Sequence, residues 1–196
     1  PGSHCYFDHY QGEPDQEPLA FGGYTPLQKV YAYEPVPAAL SADEAKHILG
    51  AQGNLWTEYI TTEEQAGYML LPRMAALAEV LWTPKERRNE ADFLQRIGTE
   101  LPRLDALGWT ASRSLYRTRL VQRQGDRPGT GQVNAEGGAP GEVIHHSVSY
   151  FEGTGTPNAQ GTPLTAPVLL QRSARVAVWG QQPDGSDAPR SVRDFH

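Results

Sequence analysis

The chain has little cysteine and no long apolar run. Its single cysteine, Cys5, excludes an internal disulfide and a cysteine-ligated zinc cluster. No stretch approaches the ~20 apolar residues that a membrane helix needs, and the longest apolar helical pattern, residues 68–82, contains Pro72, Arg73 and Glu79. The sequence therefore predicts no membrane insertion, and its cysteine content does not identify a cellular compartment.

Basic residues are also in short supply. The 17 Lys and Arg are outnumbered by 23 Asp and Glu, which gives a formal net charge of −6. No cluster of Lys and Arg accompanies an aromatic platform, so the electrostatic footprint of a nucleic-acid-binding protein is missing. We expect no nucleic-acid partner.

The histidines do not follow the pattern of a metal site. His4, His9, His145 and His146 have no carboxylate or cysteine at a coordinating spacing. The adjacent pair, if it lies on a strand, points to opposite faces. We expect neither a metal site nor a cofactor.

Residues 53–59, with the sequence Gly-Asn-Leu-Trp-Thr-Glu-Tyr, are the most informative run. The preceding residues 48–52 indicate a short buried strand, in which residues two apart face the same side. Trp56 and Glu58 are therefore expected to face one pocket. An indole offers a flat apolar surface to sugar C–H groups, and a carboxylate accepts hydrogen bonds from hydroxyls. A core tryptophan beside a surface glutamate is the alternative that this run alone leaves open.

Two helices are predicted after this run. Thr62 and Gln65 have the spacing of a capping box, and apolar residues then recur at helical spacing as far as residue 82. Pro72 is expected to kink or restart this helix. A second helix is predicted from about residue 90 to residue 107, with Gly108 as its stop.

Short β runs separated by Gly, Pro, Asn and Asp follow residue 109. Residues 126–141 are rich in Gly and Pro and indicate a linker or a long loop. Strands are predicted at 142–148, 167–170 and 174–179, with a final strand after a turn at 183–186. We therefore divide the chain into residues 1–112, a linker or connecting strands at 113–141, and a small β module at 142–196.

Four segments occur in a fixed order along the first part of the chain. They are residues 5–11 (CYFDHYQ), 17–27 (EPLAFGGYTPL), 47–59 (HILGAQGNLWTEY) and 68–79 (YMLLPRMAALAE). Together they closely resemble the C-terminal part of the catalytic domain of family 20 glycoside hydrolases, the β-N-acetylhexosaminidases. The resemblance implies an α/β fold that contains the last two βα units of a (β/α)₈ TIM barrel, an architecture of about 250 residues. The β module that follows resembles the fibronectin-type or chitobiase-type module found after such barrels, and would form a small sandwich.

The resemblance also implies a mechanism and a set of site residues. Enzymes of this family are substrate-assisted retaining glycosidases, in which the 2-acetamido oxygen of the sugar attacks the anomeric carbon. Tyr6 stands at the family position whose hydroxyl donates to that oxygen. Asp8 and Glu58 stand where carboxylates accept hydrogen bonds from hydroxyls at the non-reducing end, and Trp56 stands where an indole walls the acetamido pocket. Tyr6 and Asp8, two residues apart on a predicted strand, are expected to face the same side.

The catalytic Asp-Glu pair of the family belongs to the fourth barrel strand, upstream of all four segments. The sequence begins with Pro1, which fits a partial reading frame, and a signal peptide is neither seen nor excluded. The resemblance implies a longer enzyme that acts on N-acetylhexosamine-terminated oligosaccharides, including those from chitin, in the periplasm or outside the cell. The chain by itself is expected to be inactive.

Two alternatives stay open at this point. The chain could belong to a non-catalytic carbohydrate-binding or scaffold remnant of such a barrel. It could also belong to another barrel glycosidase with a carboxylate after its last strand, although that would leave Tyr6, Asp8 and the Gly22-Gly23 loop unexplained. An Asp-Glu dipeptide that closes a strand roughly 80 to 130 residues before Tyr6 would identify the enzyme, a spacing estimated from ~30 residues per βα unit.

Overall fold

A computed structural model describes residues 2–124, 131–137, 143–151, 161–170, 173–181, 187 and 190–195. The chain divides into two compact units, Pro1–Ser114 and Leu115–His196. Helices and isolated parallel backbone bridges make up the described part of the first unit, whereas antiparallel strands make up that of the second.

Six α-helices occur among the described residues of the first unit. They are α1 (Gly2–Cys5), α2 (Leu27–Tyr31), α3 (Ala42–Ala45), α4 (Glu63–Leu70), α5 (Arg73–Trp82) and α6 (Glu90–Ala106). None of the helices described is both long enough and apolar enough to span a bilayer.

Local capping signals explain where the longer helices begin and end. The Thr62 hydroxyl accepts from the Gln65 amide at 3.1 Å, while the Gln65 carboxamide oxygen accepts from the Thr61 amide instead of the Thr62 amide. Pro72 separates α4 from α5, as predicted, because proline lacks the amide that would continue the ladder. The predicted second helix is confirmed as α6, and Gly108 follows it with a φ of +81°.

Single parallel bridges join three segments of the first unit. Tyr6 pairs with Asn54, and Tyr10 pairs with Tyr24. The Phe7 amide donates to the Asn54 carbonyl at 2.7 Å, and the Thr25 amide donates to the Tyr10 carbonyl at 2.8 Å. Parallel pairing with helices between the paired segments, as α2 and α3 lie between Tyr6 and Asn54, is what α/β folds use.

The predicted buried strand at residues 48–52 is wrong. The Leu49 side chain is 96% exposed, and residues 48–52 form no strand in the structure. The Ile48 amide instead donates to the Ala45 carbonyl, so the chain is still leaving the turn after α3. The bridge to Tyr6 comes later, at Asn54, because pairing partners far along the chain decide where a strand forms.

The core of the first unit lies between its helices. The Tyr31 ring of α2 stacks on the Phe93 ring of α6 at 4.7 Å. Buried apolar side chains come from the segment after α1 and from α2, α4, α5 and α6: Phe7, Val30, Met69, Ala76, Val80, Phe93 and Ile97.

The described part of the second unit contains two antiparallel sheets. Its strands are β1 (Thr118–Gln124), β2 (Gly131–Gly137), β3 (Val143–Tyr150), β4 (Thr162–Pro163), β5 (Val168–Leu170), β6 (Ala174–Gln181) and β7 (Ser191–Phe195). The strand orders are β1-β2-β5 and β4-β3-β6-β7. Buried side chains from both sheets form one cluster: Leu120, Val133, Leu170, Ala174, Val176, Val178 and Phe195.

Most strand predictions for this unit are confirmed. The runs 142–148, 167–170 and 174–179 correspond to β3, β5 and β6, and the final strand is β7. The interpretation of 126–141 as a linker or long loop is wrong for residues 131–137, which form β2, because β1 and β5 supply the hydrogen bonds that the local composition does not signal. Residues 126–130 and 138–142 and the predicted turn at 183–186 lie outside the described residues.

Trp179 lies inside the second unit. Its side chain is 1% exposed, the Arg190 guanidinium carbon is 4.0 Å from the ring centroid, and the His145 ring is 6.0 Å away. An indole buried in this way cannot stack on a ligand.

Gly161→Ala is expected to destabilise the second unit. Gly161 has a φ of +69°, and an added Cβ would lie 2.4 Å from Cη2 of Trp179. Backbone strain and overpacking together cost ~1–3 kcal/mol of unfolding free energy, measurable by urea titration of the β-sheet circular dichroism. Gly131→Ala is the matched control, because its Cβ would meet nothing closer than Nε2 of Gln122, at 3.7 Å. Equal effects of the two variants would contradict the packing argument.

Candidate active site

Tyr6 and Asp8 lie where the segment after α1 meets its two parallel partners. The Tyr6 ring is half-buried, while Asp8 is 3% exposed. In a strand, Tyr6 and Asp8 would face one side and Phe7 the other. That alternation does not apply here, because the chain turns at residues 7 and 8 and Phe7 is also buried. Oδ1 of Asp8 is buried and has no hydrogen-bond partner among the described residues. A buried carboxylate oxygen without a partner is costly, so it marks a place where a ligand hydroxyl would be favourable.

His9 supports the Tyr6 ring from one side. The two rings lie 5.5 Å apart at an interplanar angle of 59°, and Nδ1 of His9 is 3.2 Å from the Thr25 hydroxyl. A Cβ at Gly23 would come within 2.6 Å of that same nitrogen. Glycine is therefore required at position 23 for the His9 ring to occupy this place.

Trp56 and Glu58 lie in a loop. Trp56 is 54% exposed, so it is not a core residue, and Glu58 is also exposed. The Ile60 amide donates to the Thr57 carbonyl at 3.2 Å, which turns the chain at Glu58. The expectation that strand alternation turns Trp56 and Glu58 to one side therefore has no basis in this structure. Both residues follow Asn54, the backbone neighbour of Tyr6, and reach the same end of the parallel pair.

Further aromatic surface borders Asp8. The Phe21 amide donates to the Asp8 carbonyl at 3.1 Å, and the Phe21 ring is 54% exposed. The segments that carry Tyr6, Asp8, Phe21 and Trp56 are thus neighbours in the backbone. Two cavities, of about 310 and 390 Å³, border α5. Their walls contain none of the predicted site residues, which are Tyr6, Asp8, Trp56 and Glu58.

Arg73 also lies in this region, and no role is predicted for it from the sequence. It begins α5, is fully buried, and its guanidinium donates to the backbone carbonyls of Phe7, His9, Thr25 and Met69. The sequence offers one signal, since an arginine stands inside a largely apolar helical run. Burial lowers the pKa of Arg73 to about 9, and the carboxylates of Glu17 and Asp8 act in the opposite direction. The guanidinium is therefore charged at neutral pH.

A second polar cluster ties the loop before α2 to α4. The Tyr68 hydroxyl donates to Oε2 of Glu17 at 2.9 Å and lies 3.1 Å from the Ser114 hydroxyl. Ser114 also donates to Glu17, and the Gln11 carboxamide donates to the Tyr68 carbonyl at 2.9 Å. Burial raises the pKa of the Tyr68 phenol. The cluster anchors the loop that follows Asp8.

The sequence contains one Asp-Glu dipeptide, Asp43-Glu44, and its geometry does not suit a general acid. Both residues are exposed on α3, where Glu44 closes a capping box with Ser41. The Ser41 hydrogen bonds lower the pKa of Glu44. A glycosidase acid needs a raised pKa in order to hold its proton near neutral pH.

The described residues contain no group of three or more His, Cys, Asp or Glu side chains placed to hold a metal ion.

Known proteins resemble the first unit. Residues 1–85 match the catalytic domain of glycosyl hydrolase family 20. A β-hexosaminidase of Porphyromonas gingivalis is 50% identical over 109 residues, which are 55% of this chain and 14% of that protein. A β-N-acetylhexosaminidase of Cellulomonas fimi is 33% identical over 114 residues, 57% of this chain and 23% of that protein.

Solved structures agree with these sequence matches. A GH20 exo-β-N-acetylglucosaminidase of Vibrio harveyi, in complex with N-acetylglucosamine, superposes with a TM-score of 0.51 at 33% identity over 58% of this chain and 18% of that one. The GH20 β-N-acetylhexosaminidase of Streptomyces coelicolor gives 0.51 at 26% identity, over 58% and 23%. The matched part of the fold is therefore related to a TIM barrel, and this chain spans less than a quarter of these four proteins.

Proposed function

We propose that this chain, whose residues 1–85 match the catalytic domain of glycosyl hydrolase family 20, is part of an exo-acting β-N-acetylhexosaminidase. The substrate is an oligosaccharide that ends in N-acetylglucosamine or N-acetylgalactosamine, and the reaction releases that terminal sugar. A periplasmic or secreted location belongs to the same proposal, and fractionation of the source cells tests it.

The observation that carries the proposal is the buried carboxylate of Asp8, two residues after the half-buried Tyr6. Oδ1 of Asp8 has no hydrogen-bond partner among the described residues. A sugar hydroxyl would satisfy this oxygen, and hydrogen bonds to a charged acceptor are about twice as strong as neutral ones. The exposed rings of Phe21 and Trp56 offer apolar surface for sugar C–H groups on neighbouring segments.

In the proposed mechanism the sugar supplies its own nucleophile. The 2-acetamido oxygen attacks the anomeric carbon, the bond to the leaving-group oxygen breaks, and a general acid protonates that oxygen. Tyr6 donates its hydroxyl proton in a hydrogen bond to the acetamido oxygen and so orients the attack. Asp8 and Glu58 accept hydrogen bonds from hydroxyls at the non-reducing end, and Trp56 forms a wall of the acetamido pocket. Water then attacks the anomeric carbon, the bond to the acetamido oxygen breaks, and the deprotonated general acid takes the proton of the water, so the anomeric configuration is retained.

The general acid is proposed to lie outside these 196 residues. Asp43-Glu44 is exposed and serves to cap α3. The rest of the barrel would also cover apolar side chains that this structure leaves open, such as Leu49 and Trp82, which are 96% and 90% exposed. Leu49 and Trp82 line the same cavity, and contiguous exposed apolar surface marks an interface or a tendency to aggregate.

The test compares the isolated chain with the longer protein from the same gene. The longer protein is expected to release the aryl alcohol from an aryl N-acetyl-β-glucosaminide, and the isolated chain is expected to release none and to be poorly soluble. The longer protein is expected to contain, upstream of Tyr6, an Asp-Glu dipeptide at the end of a strand. Activity of the purified isolated chain would refute the assignment of the acid to another segment. Inactivity of the soluble longer protein towards the aryl N-acetyl-β-glucosaminide and towards the corresponding galactosaminide would refute the proposed function.

A further inference from the structure

The Arg73 guanidinium uses all of its hydrogen-bonding capacity on the backbone. Arginine has five N–H donors, and the structure gives five bonds: Nε to Met69 O at 3.2 Å, Nη1 to His9 O at 3.1 Å and Thr25 O at 2.9 Å, and Nη2 to Phe7 O and Met69 O at 2.6 Å each. No donor remains for a substrate, so Arg73 acts only through the backbone that it holds.

The acceptors of these bonds surround the predicted sugar-binding residues. Phe7 and His9 are the residues on either side of Asp8, and Thr25 follows Tyr24, the backbone partner of Tyr10. Arg73 stands at the start of α5, between 48 and 66 residues further along the chain than these three acceptors. One side chain thus fixes two chain segments against the first turn of α5.

Burial makes this arrangement rigid. Arg73 is 0% exposed, and its guanidinium carbon lies 5.2 Å from the centroid of the Phe7 ring. Each acceptor carbonyl would lose a partner if the guanidinium moved, and a buried polar group without a partner is strongly disfavoured. The backbone carbonyls on both sides of Asp8 are therefore held in one position.

We propose that Arg73 is a positioning residue, which fixes the backbone on both sides of Asp8 so that the Asp8 carboxylate and the Tyr6 phenol meet the terminal sugar in a single arrangement. The inference rests on the proposed function for its effect on activity. Its structural part, the restraint on residues 7–9 and 25, stands on the hydrogen bonds alone.

Substitution by lysine separates the guanidinium geometry from the charge. Lysine keeps the positive charge but has three donors on one nitrogen, which cannot reach four carbonyls in a planar array. Arg88→Lys is the matched control, since Arg88 also donates to two backbone carbonyls, those of Thr83 and Tyr33, away from Tyr6 and Asp8.

In the longer protein, Arg73→Lys is expected to lower kcat/KM about 10- to 100-fold, because small displacements of positioning groups cost up to this much. Arg88→Lys is expected to stay within about threefold of the parent, a change of under ~0.7 kcal/mol.

A double-mutant cycle with Asp8→Asn then shows whether Arg73 acts through Asp8. The effect of Arg73→Lys should shrink to less than about threefold when Asp8 is already asparagine. Full additivity of the two losses would reduce Arg73 to a general stabilising role and overturn the proposal.

Hydrogen exchange provides a readout that does not depend on activity. The amides of Phe7 and Thr25 donate to the carbonyls of Asn54 and Tyr10, so they report directly on the restrained segments. Their exchange should be at least about tenfold faster in Arg73→Lys than in Arg88→Lys or the parent. Arg73→Gln, which buries no unpaired cation, replaces the lysine variant if that protein is insoluble. Parent-like exchange at both amides in the soluble variant would overturn the proposal. An inactive parent with faster exchange in the variant would instead refute only the proposed function.

Discussion

Tyr6→Phe in the longer enzyme is expected to lower kcat by ~10²–10³-fold and to change KM less, as the removal of a single oxyanion-hole donor does. The lost hydroxyl is the proposed donor that holds the acetamido oxygen in line with the anomeric carbon. Orientation of the attacking atom is needed for bond formation more than for binding, so its loss affects kcat more than KM. The comparison requires kcat and KM on an aryl N-acetyl-β-glucosaminide for the parent and the variant.

The structure supplies a control for the loss of a phenol. Tyr33 is also half-buried, and its ring lies 5.3 Å from that of His4, much as the Tyr6 ring lies 5.5 Å from that of His9. Tyr33 has no proposed contact with the sugar, so Tyr33→Phe should leave kcat unchanged. If Tyr6→Phe also keeps kcat within about threefold of the parent, a change of under ~0.7 kcal/mol, the proposed role is wrong and the Tyr6 ring serves packing.

Glu58→Gln is expected to lower kcat/KM about 10- to 150-fold without moving the pH profile. The substitution keeps the shape but replaces a charged acceptor, at a cost of ~1.5–3 kcal/mol for hydrogen bonds to sugar hydroxyls. Glu58 is exposed in a loop, so the free energy of unfolding should stay within ~0.5 kcal/mol of the parent. The measurement is kcat/KM across a range of pH.

Glu64→Gln is the matched control for this substitution. Glu64 is also exposed, lies in the first turn of α4 and has no proposed contact with the sugar. It should leave kcat/KM within about twofold of the parent, under ~0.5 kcal/mol. Loss of one limb of a bell-shaped pH profile in Glu58→Gln would assign proton transfer to Glu58 and contradict its role in binding.

The helices could be predicted from the sequence because their signals are local. The Thr62 cap, the interruption at Pro72 and the glycine after α6 each act within a few residues of the helix end. The strands depend on partners that lie far away in the chain. Residues 48–52 have the apolar composition of a strand but no partner among the described residues, whereas residues 131–137 have little β composition but are paired on both sides.

The candidate site shows the same division. The resemblance identified Tyr6, Asp8, Trp56 and Glu58 as a set, yet strand alternation did not predict the side that each would face. The buried Asp8 follows a turn, and Trp56 is exposed in a loop. Arg73 could not be assigned a role from its neighbours in sequence, because three of its acceptors are 48, 64 and 66 residues away.

The four tryptophans give each unit its own optical signal. Trp56, Trp82 and Trp109 of the first unit are 54%, 90% and 53% exposed, whereas Trp179 of the second unit is 1% exposed and lies under a guanidinium. Indoles in water emit at longer wavelengths and are quenched by acrylamide, while an enclosed indole emits further to the blue and is shielded from the quencher. Emission recorded with and without acrylamide during a single denaturant titration would therefore follow the two units separately, without any added label.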